Sequence, residues 1–194
     1  MQDLPYLVEP MTLSDIEQVI EIEEAVFSAP WSRRAYRFEL TENMNSTLIV
    51  VRRRPQAVLG LRPWRPRPPV LGYAGFWLLV DDAHIATIGV RATAQGKGLG
   101  ELLLVSLFDR ARALGARRAT LEVRVSNVKA QALYEKYRFE KVSLRRRYYA
   151  DNDEDAFIMA TPSFRSPRFE VNLVQHSAAL YERLRADQDG EETQ

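Results

Sequence analysis

A short glycine-rich segment, Gln95-Gly96-Lys97-Gly98-Leu99-Gly100, follows an alternating apolar stretch that ends at Val90. It runs straight into a strongly apolar helix pattern beginning at Leu99. A strand, a glycine turn and a helix in that order dictate a backbone that bends sharply and then presents free N–H groups. Glycine supplies the φ > 0 conformations such a bend needs, and the helix start adds unpaired donors and a positive dipole end. Together these suit a phosphate or pyrophosphate. Two nucleotide motifs fail. A P-loop needs Gly where Arg91 stands and no Gly98 after Lys97, and the dinucleotide fingerprint needs Gly where Glu101 stands. A plain helix-capping turn is the alternative that the loop alone leaves open.

The rest of the chain sorts around this segment. Thr12 to Phe27 reads as an amphipathic helix, with Ile16, Val19, Ile20, Glu23 and Phe27 on helical spacing and Thr12 and Asp15 as a capping box. Ala29-Pro30-Trp31-Ser32 interrupts it, and Ser32 caps a second helix over 33–42. Ser46 to Arg52, Leu71 to Val80 and Ala83 to Val90 read as strands, the last two as a hairpin about Asp81-Asp82. Residues 52–70 carry many Arg and Pro and no acid, which forbids a central strand and predicts a projecting loop. After the glycine turn come a helix over 99–114 capped by Gly115, a strand over 119–125, and a short helix over 127–137. Strands over 139–149 and 156–160 close the order. This predicts an α+β or mixed α/β fold with a mostly antiparallel sheet of six to seven strands and about four helices. The chain divides into a domain over 1–162 and an extension over 163–194, with a helix over 176–185 and disorder beyond.

Composition narrows the chemistry. The chain of 194 residues has no cysteine and two histidines, His84 and His176. Disulfides, thiolate metal sites, a thiol nucleophile and a multi-histidine metal site are therefore excluded. Lys+Arg 27 against Asp+Glu 26 gives no whole-chain argument for nucleic acid or a membrane. The longest apolar run, Leu71 to Val80, is about half a membrane span. The start MQDLPYLVEP lacks the marks of a signal peptide, so a cytoplasmic protein is expected.

The stretch Ile88 to Gly100, IGVRATAQGKGLG, resembles the acetyl-CoA signature of the GNAT acetyltransferases. LEVRVSN from Leu121, ALYE from Ala132, RRRYY from Arg145 and FSAPWS from Phe27 resemble more narrowly the RimI-type ribosomal-protein alanine N-acetyltransferases. The likeness covers roughly 10–162. It implies a GNAT fold with a splayed strand pair holding the CoA, and acetyl-CoA as cosubstrate without a metal. It further implies that Gly96, Lys97, Gly98, Leu99, Gly100 and Glu101 hold the pyrophosphate through backbone amides, with Gln95 beside them among the CoA-binding residues. Ile88 and Val90 would offer backbone groups to the pantetheine and the acetyl carbonyl, and Asn127 would contact CoA or cap its helix. Three departures are visible: the long 52–70 loop, Gly89 where a small side chain is usual, and the extension after 162.

Acetyl transfer to an amine needs a deprotonated amine, donors for the oxyanion and a proton or donor for the leaving thiolate. The resemblance assigns Glu122 as general base, through a water, and Tyr134 as acid. Pattern alone also fits Glu122 as a solvated strand carboxylate and Tyr134 as a core aromatic. His84, at the turn end of its strand, reads as structural or exposed. The resemblance implies that Tyr148 and Tyr149 line a peptide groove, with a β-hairpin bearing a solvated cationic face as the alternative; Glu24 and Trp31 would join the groove through the helix–helix loop, with core packing equally open for Trp31. The arginines of 52–70 suggest a solvated loop, a lid, or a weak contact to RNA or an acidic protein. The expected acceptor is a protein N-terminus, by resemblance alanine of a small-subunit ribosomal protein. A lysine or small-molecule amine, or a CoA-binding module without turnover, are the alternatives. No membrane partner and no direct nucleic-acid binding are expected, and monomer and homodimer stay open.

Overall fold

The computed structural model describes residues 4–55 and 67–191, with 187–191 as backbone only. The order is β1 (Tyr6–Pro10), a short 3-10 turn (Leu13–Asp15), α1 (Ile16–Val26), α2 (Arg33–Thr41), β2 (Ser46–Arg53), β3 (Val70–Leu79) and β4 (Asp82–Val90). After a 3-10 turn (Ala92–Ala94) come α3 (Leu99–Ala113), β5 (Arg118–Arg124), α4 (Val128–Lys136), β6 (Glu140–Tyr149), β7 (Glu154–Ala160) and α5 (Pro167–Glu191). The strands form one sheet in the order β1-β2-β3-β4-β5-β7-β6. Every pairing is antiparallel except β4–β5.

The sheet is covered on both faces, which explains the unbroken apolar run of β2. Ile49 and Val51 pack toward α3 and α5, while Leu48 and Val50 pack toward α1 and α2. Local signals end the helices where the sequence indicates. The Ser32 hydroxyl accepts from Ala35 N at 3.2 Å, capping α2. Gly115 follows α3 with φ 89°, and Ala116 N–H reaches Ala111 O at 2.9 Å in a Schellman closure.

The seven strands and, among the described residues, five α-helices match the expected mixed α/β fold. Three details need correction. β1 has no place in the sequence reading; its five residues include Pro10, and it is recognisable only through its pairing with β2. The tail is not an appendage with a helix over 176–185. α5 starts at Pro167, runs through Glu191, and buries Phe169, Leu173, Leu180 and Leu184, with Phe164 before it, in the same core as Phe108. Helix therefore replaces most of the disorder anticipated over 186–194, and 192–194 lie outside the described residues. Finally, Arg52 is not part of a solvated arginine run. It is buried, paired with Asp15 and Glu9 and bound to Pro68 O. Asp15 also accepts from Thr12 N in the expected capping box. The middle of the anticipated loop, 56–66, lies outside the described residues.

Candidate active site

β4 and β5 pair only from Asp82↔Arg118 to Ile85↔Leu121. Beyond that point β4 continues to Val90 and β5 to Arg124 without a ladder between them, so the strands fork. The edge of β4 facing the fork can be read from its register with β3. Arg91 N–H donates to Leu71 O at 2.8 Å, so Arg91 and, two residues back, Gly89 bond to β3. Alternation then turns the peptide groups of Ile88 and Val90 into the fork. Val90 O already accepts from the Gln95 side-chain amide at 3.1 Å. Gln95 thus ties the loop to the strand with its side chain, a contact the sequence reading did not foresee.

The loop itself is open. Gln95, Gly96 and Lys97 are exposed, and Gly96 and Gly98 have φ of 81° and 79°. A Cβ on Gly96 would meet nothing within 4 Å, whereas Gly98 lies under Leu180, Arg183 and Leu184 of α5. Leu99 is buried and anchors the helix start. Glu101 turns its side chain away from solvent onto Lys136, Tyr137 OH and Arg183. Burial pushes its carboxyl up, but the hydrogen bonds from Lys136, Tyr137 and Arg183 outweigh this and hold it below the usual range. Only the Glu101 amide is therefore left for a ligand. Asn127 serves as the α4 N-cap, accepting from Ala130 N at 3.1 Å.

Glu122 stands at the crotch of the fork, one residue past the last β4–β5 pair. Its Oε2 lies 3.1 Å from His84 Nε2, and its Oε1 accepts from Arg145 Nη1 at 3.2 Å. The bond to His84 is the main reason its carboxyl is held below the usual range; Arg145 adds to it and burial opposes it. His84 Nδ1 lies 3.2 Å from Thr120 Oγ1. A β-bulge puts the imidazole there: Gly75 pairs with Thr87 but Phe76 pairs with Ile85, leaving Ala86 as the extra residue. The bulge shifts the alternation, so His84 shares a face with Thr87 and Gly89 rather than pointing at α3. Trp77, directly across from His84, stacks on it at 5.7 Å and 14°. Trp31 stacks on Trp77 at 5.8 Å and 10°, and its backbone N–H donates to buried Glu23 at 3.2 Å. The joint between α1 and α2 is thereby fastened to the face that carries Glu122.

Tyr134 packs its ring on Phe139 at 5.5 Å. Burial, with a smaller contribution from Tyr149, pushes its phenol up to about 12. Tyr149 feels Glu122 as well, and Arg124 sits 3.7 Å over its ring. Arg124 in turn binds Asp151, Glu154 and Ser28, drawing the β6–β7 turn onto the α1–α2 joint. Nothing in the sequence singled out Arg124 for this.

The model of the acetyltransferase (GNAT) family matches residues 16–139. The chain belongs to the GNAT family. It is an N-acetyltransferase by its relatives. A Bacillus subtilis protein provisionally named a [ribosomal protein bS18]-alanine N-acetyltransferase is 38% identical over 152 residues, 78% of this chain and 92% of that one. The N-alpha-acetyltransferase RimI of Mycobacterium tuberculosis is 34% identical over 165 residues, 82% and 94% of the two chains. The crystal structure of the Escherichia coli ribosomal-protein-S18-alanine N-acetyltransferase superposes with a TM-score of 0.66 at 29% identity, covering 81% of this chain and 93% of that one.

In this GNAT chain, Glu122 stands where the fork begins, and Ile88 and Val90 present their peptide groups along it. The glycine loop leads from Val90 at its open end. His84, read as structural or exposed, lies against Glu122; the bulge that aims it leaves no mark in the alternation of β4. Trp31 joins the aromatic stack, while Glu24 is exposed. His176 packs edge-on to Tyr137, far along α5. Among the described residues no cluster could hold a metal, and no helix is long and apolar enough to cross a membrane.

Proposed function

We propose that this GNAT acetyltransferase moves the acetyl group of acetyl-CoA onto the α-amine of a protein N-terminus. The acceptor begins with a small residue, alanine of a ribosomal protein in the manner of the bS18 enzymes. The observation that carries the reading is the fork: a strand pair opened just beyond Ile85↔Leu121, a carboxylate at its crotch, and a glycine turn leading from its open end. The residues present fit the donor. Open space at Gly96, left-handed backbone at Gly96 and Gly98 and the start of α3 suit a pyrophosphate. The freed peptide groups of Ile88 and Val90 suit an extended amide arm. The thioester supplies the acyl group when bound; the chain orients it and handles protons.

Glu122 serves deprotonation of the acceptor amine, whose ordinary pKa is about 8. Tyr134 stays protonated throughout the working range. A thiol titrates near 8.5, well below the phenol that burial has pushed up, so full proton transfer from Tyr134 to a leaving thiolate is uphill. Tyr134 therefore acts as a hydrogen-bond donor to the leaving sulfur rather than as its final proton source. Tyr148, 43% exposed on β6 with Arg145 near its ring, lines the acceptor side.

The test uses peptides beginning Ala, Ser or Met, and an acetyl-blocked Ala peptide with an internal Lys. Acetylation of the free-Ala peptide is expected. Transfer only to the Lys side chain would overturn the acceptor assignment, and CoA binding without thiol release from any amine would overturn the enzyme reading.

A further inference from the structure

The long helix α5 reaches the glycine turn at Gly98. A Cβ built on Gly98 would stand 3.1 Å from Arg183 Nη2, 3.2 Å from Leu180 Cδ1 and 3.4 Å from Leu184 Cδ2. These three residues are three and four apart, so one face of α5 meets the loop. The two leucines are fully buried and fasten that end of the helix to the core. Arg183 is different: its side chain is 50% exposed beside the turn. α5 lies beyond residues 16–139, which the family model matches, so nothing in the shared pattern accounts for this arginine.

Charge at the start of α3 is in positive excess. Glu101 takes Lys136 Nζ and Tyr137 OH on Oε1, and Arg183 Nη2 on Oε2 at 2.9 Å. One carboxylate thus meets two cations, and exposed Lys97 is the neighbour of Gly98. The excess reaches further along α5. Burial and then Lys136, with Arg138 behind it, push the His176 imidazole below its ordinary range although Glu101 opposes them. Among the described residues Glu101 is the one hydrogen-bond partner of Arg183. A guanidinium has five N–H donors in a planar fork. The bond to Glu101 fixes the plane and leaves further donors at the turn, where an anion can accept them.

We propose that Arg183, carried by the C-terminal extension, is a further donor-binding residue: its guanidinium bonds the diphosphate of CoA at the glycine turn, with the Glu101 carboxylate as its positioning residue. This rests on the acetyl-CoA reading of the loop. The backbone amides of the turn supply neutral donors; Arg183 adds a full positive charge that they lack. Gly98 makes the approach possible, because any side chain there would occupy the place of the guanidinium. α5 therefore both covers the core and completes the anion site.

The experiment titrates the full chain by calorimetry with CoA and with dephospho-CoA, which keeps the diphosphate and lacks the 3′-phosphate. Arg183→Ala is expected to raise Kd about tenfold for both ligands, and Arg183→Lys, which keeps the charge, to recover part of the loss. Turnover followed by thiol release should show KM for acetyl-CoA raised with kcat within about twofold. Leu173→Ala, which loosens α5 away from the loop, should lower Tm yet hold Kd within about twofold of the wild type. An unchanged Kd in Arg183→Ala, or an equal rise in Leu173→Ala, would overturn the proposal. A loss seen with CoA and not with dephospho-CoA would move the contact to the 3′-phosphate and overturn the diphosphate assignment. If Arg183→Ala does not melt cooperatively, Arg183→Gln decides by the same criteria. A wild type that binds neither ligand would overturn the acetyl-CoA reading itself, whereas normal wild-type binding with no change in the variants overturns only the role of Arg183.

Discussion

Gly89 is the position where this chain departs from the usual small side chain of the signature, and its neighbour explains why. A Cβ built there would lie 2.6 Å from Tyr73 Cε1 and 2.8 Å from both Cζ and the hydroxyl oxygen. Tyr73 is the cross-strand partner of Gly89, is fully buried, and meets the Tyr36 ring edge-on at 5.9 Å. It has nowhere to swing. Gly89→Ala therefore overpacks the α1–α2 side of the sheet, at about 1–3 kcal/mol. For a chain of this size each kcal/mol lowers Tm by roughly 2–4 °C, so a fall near 6 °C is expected. The same displacement pushes β4 between Ile88 and Val90, and KM for acetyl-CoA should rise. A double-mutant cycle by thermal melt isolates the contact: in a Tyr73→Leu background Gly89→Ala should cost little. A drop under about 1 °C in the wild-type background, or an equal drop in both backgrounds, would refute the packing argument.

Further outcomes follow from the same geometry. Glu122→Gln should lower kcat by about 10²–10⁴, and Tyr134→Phe by about tenfold or more with KM for acetyl-CoA retained; normal turnover in both would reject their roles. Glu101→Gln strands Lys136 and Arg183, partly exposed cations, and should cost about 1–2 kcal/mol by urea midpoint. Because the folded Glu101 carboxyl is held below its ordinary value, its contribution is full above the unfolded value and is lost as pH falls through the folded one. The gap between the two proteins should accordingly close below about pH 4.5, and a gap constant with pH would contradict this. A chain ending at residue 162 gives up five buried apolar side chains, Phe164, Phe169, Leu173, Leu180 and Leu184. At about 1.5–3 kcal/mol each, the loss rivals the whole stability of an ordinary domain. No cooperative melt is expected from it, and a normal melt would show the extension to be dispensable.

Local chemistry was legible in the residues themselves. Alternation through Leu121, Glu122 and Val123 assigned Glu122 to the face opposite the apolar side chains, because strand geometry has a period of two. Ser32, Gly115 and the glycine loop announced their helix boundaries, because caps and left-handed turns are made by the residues beside them. What escaped the sequence depends on partners distant along the chain. β1 is a strand through its ladder with β2. α5 is a long helix because Phe108 and its neighbours offer a surface to cover. Arg52 is buried because Asp15 and Glu9 arrive to neutralise it. The active-site face shows the same division. Glu122 could be chosen from its own strand, but its pairing with His84 requires a bulge at Ala86, an indole from β3 and a hydroxyl from β5. A one-residue shift in pairing register reverses which face a side chain occupies, and only the assembled sheet sets that register.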